Sequence, residues 1–264
     1  MGDFDFIMPI PYTIKKNQSV LYQPFFNQQL NVLGKNLPSV DVINQFISSI
    51  PQKFKLVQFN FPNYLIKSES GFEMEEVICQ YLDLNQTHEA LSAEYSTNAK
   101  RQIKKAIKNE LKVTELKDLE VFMSLFEETV GVKLGLLKDN YSRLYKLMNV
   151  GLRLNKGRLL SVQKGDEVLA MGYFFIQNNR ITYLKGASTL HGRDIGAMYF
   201  LMDSVINEFS STNRVLDFGG SKVSSIAEFY KKLGGLDKIY LSFSKNDLPY
   251  LIKKAKGIRD RFKK

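Results

Sequence analysis

The spacing of apolar and polar residues changes period along this chain, and the changes mark out its elements. Arg158 to Gln163, Glu167 to Gln177 and Arg180 to Ala187 alternate as half-buried strands do, joined by the turn sequences Lys164-Gly165-Asp166 and Asn178-Asn179. Connections this short cannot carry a parallel crossover, so a three-stranded antiparallel meander is expected. Ahead of it the period is helical from Asn98 to Asn109. Ala99, Ile103 and Ala106 recur at core spacing with Ile107 beside them, and Arg101, Lys104, Lys105 and Lys108 crowd the opposite face. Leu111 to Leu116 reads as a strand. Leu119 to Val130, with Phe122, Leu125 and Phe126 inward, and Tyr141 to Leu152 read as helices covering one side of a sheet.

After the meander, Ile195 to Phe209 is helical, Arg214 to Phe218 a strand, Ser224 to Leu233 helical and Lys238 to Phe243 a last strand. Such an order specifies a mixed α/β fold with a mostly antiparallel central sheet flanked by helices. The front of the chain is broken by Pro9, Pro11, Pro24, Pro38, Pro51 and Pro62, with a helix expected at Val40 to Ile50 and strands at Phe54 to Phe61 and Val77 to Leu84. The division expected is a short mixed α/β region over 1–94, a main domain over 95–246 and a basic C-terminal helix over 247–264.

Composition narrows the chemistry. Hydrophobic residues make up 44% of the 264, including 19 Phe and 13 Tyr, enough for a substantial core. The single cysteine, Cys79, has no intramolecular partner, and His88 and His191 lack metal-site spacing, so no metal is expected. The start has no basic n-region and no apolar run is long enough to span a bilayer, which points to a cytoplasmic location. A net charge of +10 attracts phosphates, anionic lipids or acidic polymers without choosing among them. The Arg101 to Lys108 stripe reads equally as a solvated face or as an attractor of an anionic substrate, with Arg101 and Lys105 the contacts.

Two turns carry candidate chemistry. The first, Thr189-Leu190-His191-Gly192-Arg193-Asp194-Ile195-Gly196-Ala197, joins the meander to a helix, where backbone amides and Arg193 suit a phosphate-bearing ligand. The second, Val215-Leu216-Asp217-Phe218-Gly219-Gly220-Ser221, turns from strand to helix. There Asp217 either accepts a proton and orients an amine, or caps the amides of the Gly219-Gly220-Ser221 turn. Ser221 is expected to cap the following helix. Its surroundings are not Gly-x-Ser-x-Gly and no histidine follows it, which excludes a serine triad in the α/β-hydrolase order. Tyr183 and Lys185 share one strand face if alternation holds, and Tyr230 lies on the helix after the turn.

Taken in order, Ser96 to Ala106, the meander, Gly186 to Ala197, Asp217 to Ser221 and Phe229-Tyr230-Lys231-Lys232-Leu233-Gly234-Gly235 resemble the FemAB-like branch of the Gcn5-related N-acetyltransferase (GNAT) superfamily. The resemblance covers roughly Tyr95 to Phe243 and implies a GNAT-like acyltransferase fold, with the N-terminal region as a degenerate second copy. It implies transfer of an acyl group from acyl-CoA, for instance acetyl-CoA, to a small-molecule or peptide amine. Gly192, Arg193, Gly196 and Ala197 would hold the coenzyme, although Met198 stands where the family has a small residue. Tyr183, Lys185, Gly219, Gly220 and Ser221 would contact substrate, Asp217 would orient or deprotonate the amine, and Tyr230 would act as the acid. The alternative donor is aminoacyl-tRNA, with a cell-wall peptide precursor as acceptor. A third reading is a non-catalytic relative that binds an anionic polymer.

Overall fold

A computed structural model describes residues 4–15, 17–62, 71–219 and 223–250. Its elements in chain order are β1 (Phe6–Ile7), β2 (Tyr12–Lys15), β3 (Gln18–Tyr22), β4 (Leu33–Gly34), α1 (Val40–Ser48), β5 (Phe54–Pro62), β6 (Glu73–Asp83), α2 (His88–Ala93), α3 (Thr97–Lys108), β7 (Lys112–Leu116), α4 (Leu119–Phe126), a π-turn (Glu127–Gly131), α5 (Val132–Leu134), α6 (Lys138–Arg153), β8 (Gly157–Lys164), β9 (Glu167–Gln177), β10 (Arg180–Ser188), α7 (Leu190–Asp194), α8 (Ala197–Phe209), β11 (Val215–Asp217), α9 (Ser224–Lys232) and β12 (Leu236–Asn246). The chain divides into two compact units, 1–78 with 239–264 and 79–238. These limits fall inside β6 and β12, and most of the basic C-terminal helix expected over 247–264, from residue 251 on, lies outside the described residues.

In the first unit the strands lie in the order β2-β3-β5-β12, with β3 and β5 parallel and the outer pairs antiparallel. Ser39 starts α1 by accepting the Val42 N–H on its hydroxyl, and the helix buries Ile43 and Ile47. They pack in a core with Phe59, Phe61 and Phe243, where Phe59 stacks on Phe243 at 5.2 Å between ring centroids. A separate two-stranded pair joins β1 to β4.

The second unit has the mixed, mostly antiparallel sheet that the sequence specifies, ordered β6-β11-β10-β9-β8-β7. Its meander, β8-β9-β10, is antiparallel throughout, and β10–β11 is the parallel pair, connected through α7 and α8. Helices cover both faces. On one, Ala99, Ile103 and Ala106 of α3 and Leu201, Val205 and Ile206 of α8 join Phe174, Ile181 and Leu216 in one core. On the other, the Tyr173 hydroxyl donates to the Met148 carbonyl of α6 at 2.6 Å. Gly151 and Gly157 make room for that ring, since a Cβ on either would collide with its hydroxyl.

Two expected helices are interrupted. The helix expected to reach Val130 stops being α-helical at Phe126 and widens into the π-turn, ending at Gly131 against the Tyr141 ring. The helix expected from Ile195 begins at Ala197, because Gly196 adopts φ +80 and separates α7 from α8. Among the described residues no helix is long and apolar enough to cross a membrane.

Candidate functional site

The parallel strands β10 and β11 pair only from Arg180 opposite Val215 to Thr182 opposite Asp217. Two local causes part them there. Leu184 is an extra residue in β10, since Tyr183 pairs with Phe174 and Lys185 with Tyr173 across β9. On the other side the Phe218 N–H donates to the Gln80 carbonyl at 3.1 Å and so stays with β6, and Gly219 turns away at φ +78. β10 continues to Ser188 while β11 ends at Asp217, which leaves a gap at the carboxyl ends of two parallel strands. Open sheets take their ligands at such places.

The bulge at Leu184 also corrects the expectation that Tyr183 and Lys185 share a face. An extra residue reverses the alternation, so Tyr183 lies on the Phe174 face and Lys185 on the Tyr173 face. Tyr183 therefore joins an aromatic group with Phe218 and Tyr230. Phe218 and Tyr230 stack at 4.9 Å, and Tyr183 meets Tyr230 edge-on at 6.3 Å. Burial and the Asp217 carboxylate raise the Tyr230 hydroxyl, which has no hydrogen-bond partner among the described residues and stays protonated at neutral pH. Burial lowers the Lys185 ammonium from its ordinary value.

Asp217 is 2% exposed and lies on the Lys185 face. One oxygen accepts the Gly219 N–H at 2.8 Å, and the other faces Arg180 Nη1 at 3.2 Å. Burial raises its pKa, while Arg180 and the Gly219 amide pull the other way. Arg180 in turn sits 4.8 Å over the Tyr81 ring. Beside Tyr81, Cys79 donates to the Lys238 carbonyl at 3.4 Å, and burial pushes its thiol up to about 11. The sequence reading does not place Arg180, Tyr81 or Cys79 at the site. The available signal was parity, because β6 and β11 pair Tyr81 with Asp217.

At the other turn, Thr189 caps α7 by accepting the Gly192 N–H at 2.9 Å, and Gly192 lies against the Leu169 carbonyl. Arg193 donates to the Ser188 carbonyl at 3.2 Å. Gly196 is covered by α3, for a Cβ there would collide with the Gln102 carbonyl, and Lys105 Nζ donates to the Asp194 carbonyl at 2.7 Å. Ala197 is buried as the first residue of α8, and Met198 Sδ accepts from the Tyr183 hydroxyl at 3.6 Å. The two turns meet along β10. Tyr183 reaches Met198 with its hydroxyl, and its carbonyl lies 3.8 Å from where a Gly219 Cβ would stand.

The outer face of α3 carries Lys100, Arg101, Lys104, Lys105 and Lys108, and the helix contains no acidic residue. Arg101 donates to Asn98 Oδ1 at 2.9 Å, and none of these cations pairs with a carboxylate among the described residues. His191 is taken up by Glu167 at 3.0 Å and His88 by Asp203 at 2.8 Å. Gly220 and Ser221 lie outside the described residues. The residue at the N-cap of α9 is Val223, which makes no side-chain cap.

No protein-family model matches the sequence, and no curated protein matches it. Solved structures do. FemX superposes with a TM-score of 0.64 at 13% identity, over 90% of this chain and 83% of FemX. L-PGS from Bacillus licheniformis gives 0.59 at 12% identity, over 96% of this chain and 84% of its own. The C-terminal domain of a putative lysylphosphatidylglycerol synthetase from Agrobacterium fabrum gives 0.58 at 11%, over 90% and 84%. Identities this low speak to architecture alone: the chain shares the mixed α/β fold of these structures.

Proposed function

We propose that this protein is an aminoacyltransferase that takes its aminoacyl group from aminoacyl-tRNA and delivers it to an amine of a cell-wall peptide precursor. The observation that carries this reading is the position of α3. Its backbone closes over Gly196, at the turn where a coenzyme pyrophosphate would sit, and its outer face offers five cations without carboxylate partners among the described residues. A polyanionic donor that docks along a helix fits this arrangement better than a compact one held in the turn. The fold is also that of FemX and of the C-terminal domain of a putative lysylphosphatidylglycerol synthetase.

In this reading the acceptor nitrogen attacks the ester carbonyl carbon, a C–N bond forms, and the C–O bond to the terminal ribose breaks. Tyr230, whose hydroxyl burial keeps protonated, supplies a proton to the departing ribose oxygen and takes back the one that the acceptor nitrogen releases as the amide forms. Lys185 stands on the opposite face of the gap as the cation nearest in sequence to the bulge, and it steadies the negative charge that develops on the carbonyl oxygen. Asp217 acts through Gly219 and Arg180, holding the turn rather than taking the proton.

The test presents a peptide amine acceptor with radiolabelled aminoacyl-tRNA and, in parallel, with labelled acetyl-CoA. Label should pass from the tRNA. Transfer from acetyl-CoA with none from tRNA would restore the acyl-CoA-dependent N-acyltransferase, and RNA binding with no transfer from either would leave a polymer-binding relative.

A further inference from the structure

The two helical layers of the second unit carry different outer surfaces. On α3 the exposed face is cationic. On α6, the inward residues Leu144, Met148 and Gly151 are buried, and the outward face presents Leu147, Val150 and Leu154, which are 36%, 48% and 64% exposed. Their i, i+3, i+7 spacing places them in one stripe along the helix. Arg143, Lys146 and Arg153 are exposed around that stripe, and none pairs with a carboxylate among the described residues. The acidic residue of this helix, Asp139, precedes Leu147 by eight positions, roughly 12 Å along the axis.

We infer that the outer face of α6 docks on an anionic lipid bilayer, with the leucine and valine side chains entering the headgroup boundary and the arginine and lysine side chains meeting lipid phosphates. An apolar stripe edged by unpaired cations is the pattern of a helix lying in a membrane interface. Other occupants fit less well. A second copy would bring the same cations face to face, and RNA would leave the three aliphatic side chains against a charged backbone. This inference goes beyond the proposed reaction and does not depend on which donor the protein uses. It gives that reaction a place, at the surface of a bilayer that presents the acceptor.

The experiment is flotation of the full chain with vesicles of phosphatidylcholine alone or with added phosphatidylglycerol, without tRNA or acceptor. The protein should float with the anionic vesicles, and Val150→Glu combined with Leu154→Glu should lower the floating fraction about tenfold. Leu37→Glu, at an exposed apolar position of the first unit, should float as the parent does. Circular dichroism and thermal melting of each variant separate lost docking from lost folding. Equal flotation with both vesicle types, or unchanged flotation of a folded double variant, would overturn the inference. So would a parent that sediments as a dimer which the double variant breaks, or a double variant that loses RNA binding instead. Absent aminoacyl transfer with intact flotation would count against the proposed reaction and leave the membrane surface standing.

Discussion

Asp217, on the last paired rung of the parallel strands, and Arg180, on the first, face each other at 3.2 Å, one 2% exposed and the other open to solvent. The same carboxylate takes the Gly219 amide, so it is bound on both oxygens. A carboxylate so engaged is a support for the turn. Asp217→Ala should cost about 2–4 kcal/mol, because it orphans an amide and leaves Arg180 without its partner, while Asp217→Asn should cost about 1 kcal/mol by still accepting the Gly219 N–H. Denaturant unfolding reads both. Turnover of Asp217→Asn then separates the two roles, for a positioning residue leaves measurable transfer and a base does not.

Gly196 holds α3 against α8. Its φ of +80 disfavours any side chain, and a Cβ would collide with the Gln102 carbonyl. Gly196→Ala should therefore destabilise by about 2–4 kcal/mol. Amide hydrogen exchange should show the loss concentrated in α3 and the first turn of α8. Unchanged protection in α3 would mean that the helix is held elsewhere.

The cations of α3 make no ion pairs among the described residues. Lys104→Gln with Lys108→Gln should leave the melting temperature almost unchanged. If the helix tracks an RNA backbone, the same double variant weakens tRNA binding and lowers the slope of log affinity against log salt by about 2. A filter-binding titration at several salt concentrations measures that slope, and an unaltered slope would clear α3 of phosphate contact.

Much of this arrangement is legible in the sequence. Gly165 and Asn178 both adopt positive φ in the meander turns, the chemistry that Lys164-Gly165-Asp166 and Asn178-Asn179 announced. α3 followed from Ala99, Ile103 and Ala106 at core spacing. The bulge at Leu184 left no such mark, because its cause is pairing with β9 and nothing in Tyr183-Leu184-Lys185 itself breaks alternation. The contact of Gln102 with Gly196 was equally hidden, since it joins residues far apart in the chain. Tertiary pairing decided which side chains share the gap, and local pattern could only say which were near it.

Cys79 offers a pH test of the buried polar cluster. Its thiol is raised from 9.0 to about 11, first by burial and then by the Asp217 carboxylate. For a group whose pKa is raised on folding, the contribution to stability is present below the unfolded value and is lost as pH climbs through the folded one. The window is thus pH 9.0 to about 11. Iodoacetamide labelling of the native protein should stay slow through pH 9 and accelerate above it, whereas the unfolded chain labels readily near pH 9. Fast labelling of the native protein at pH 8 would show that the thiol is not enclosed.

Tyr230 separates chemistry from packing most cleanly. Its ring is held by the stack on Phe218 and the edge contact with Tyr183, and both contacts survive in Tyr230→Phe. Among the described residues its hydroxyl has no partner that the substitution would orphan, and the melting temperature should hold or rise slightly. A proton donor to the leaving oxygen contributes about 10²–10⁴-fold, and the variant should lose transfer on that scale with KM little changed. The loss should also ease when the leaving group is made more acidic, which no packing defect would reproduce. Full activity in a folded Tyr230→Phe protein would remove the hydroxyl from the reaction and leave the acid to be sought elsewhere along the gap.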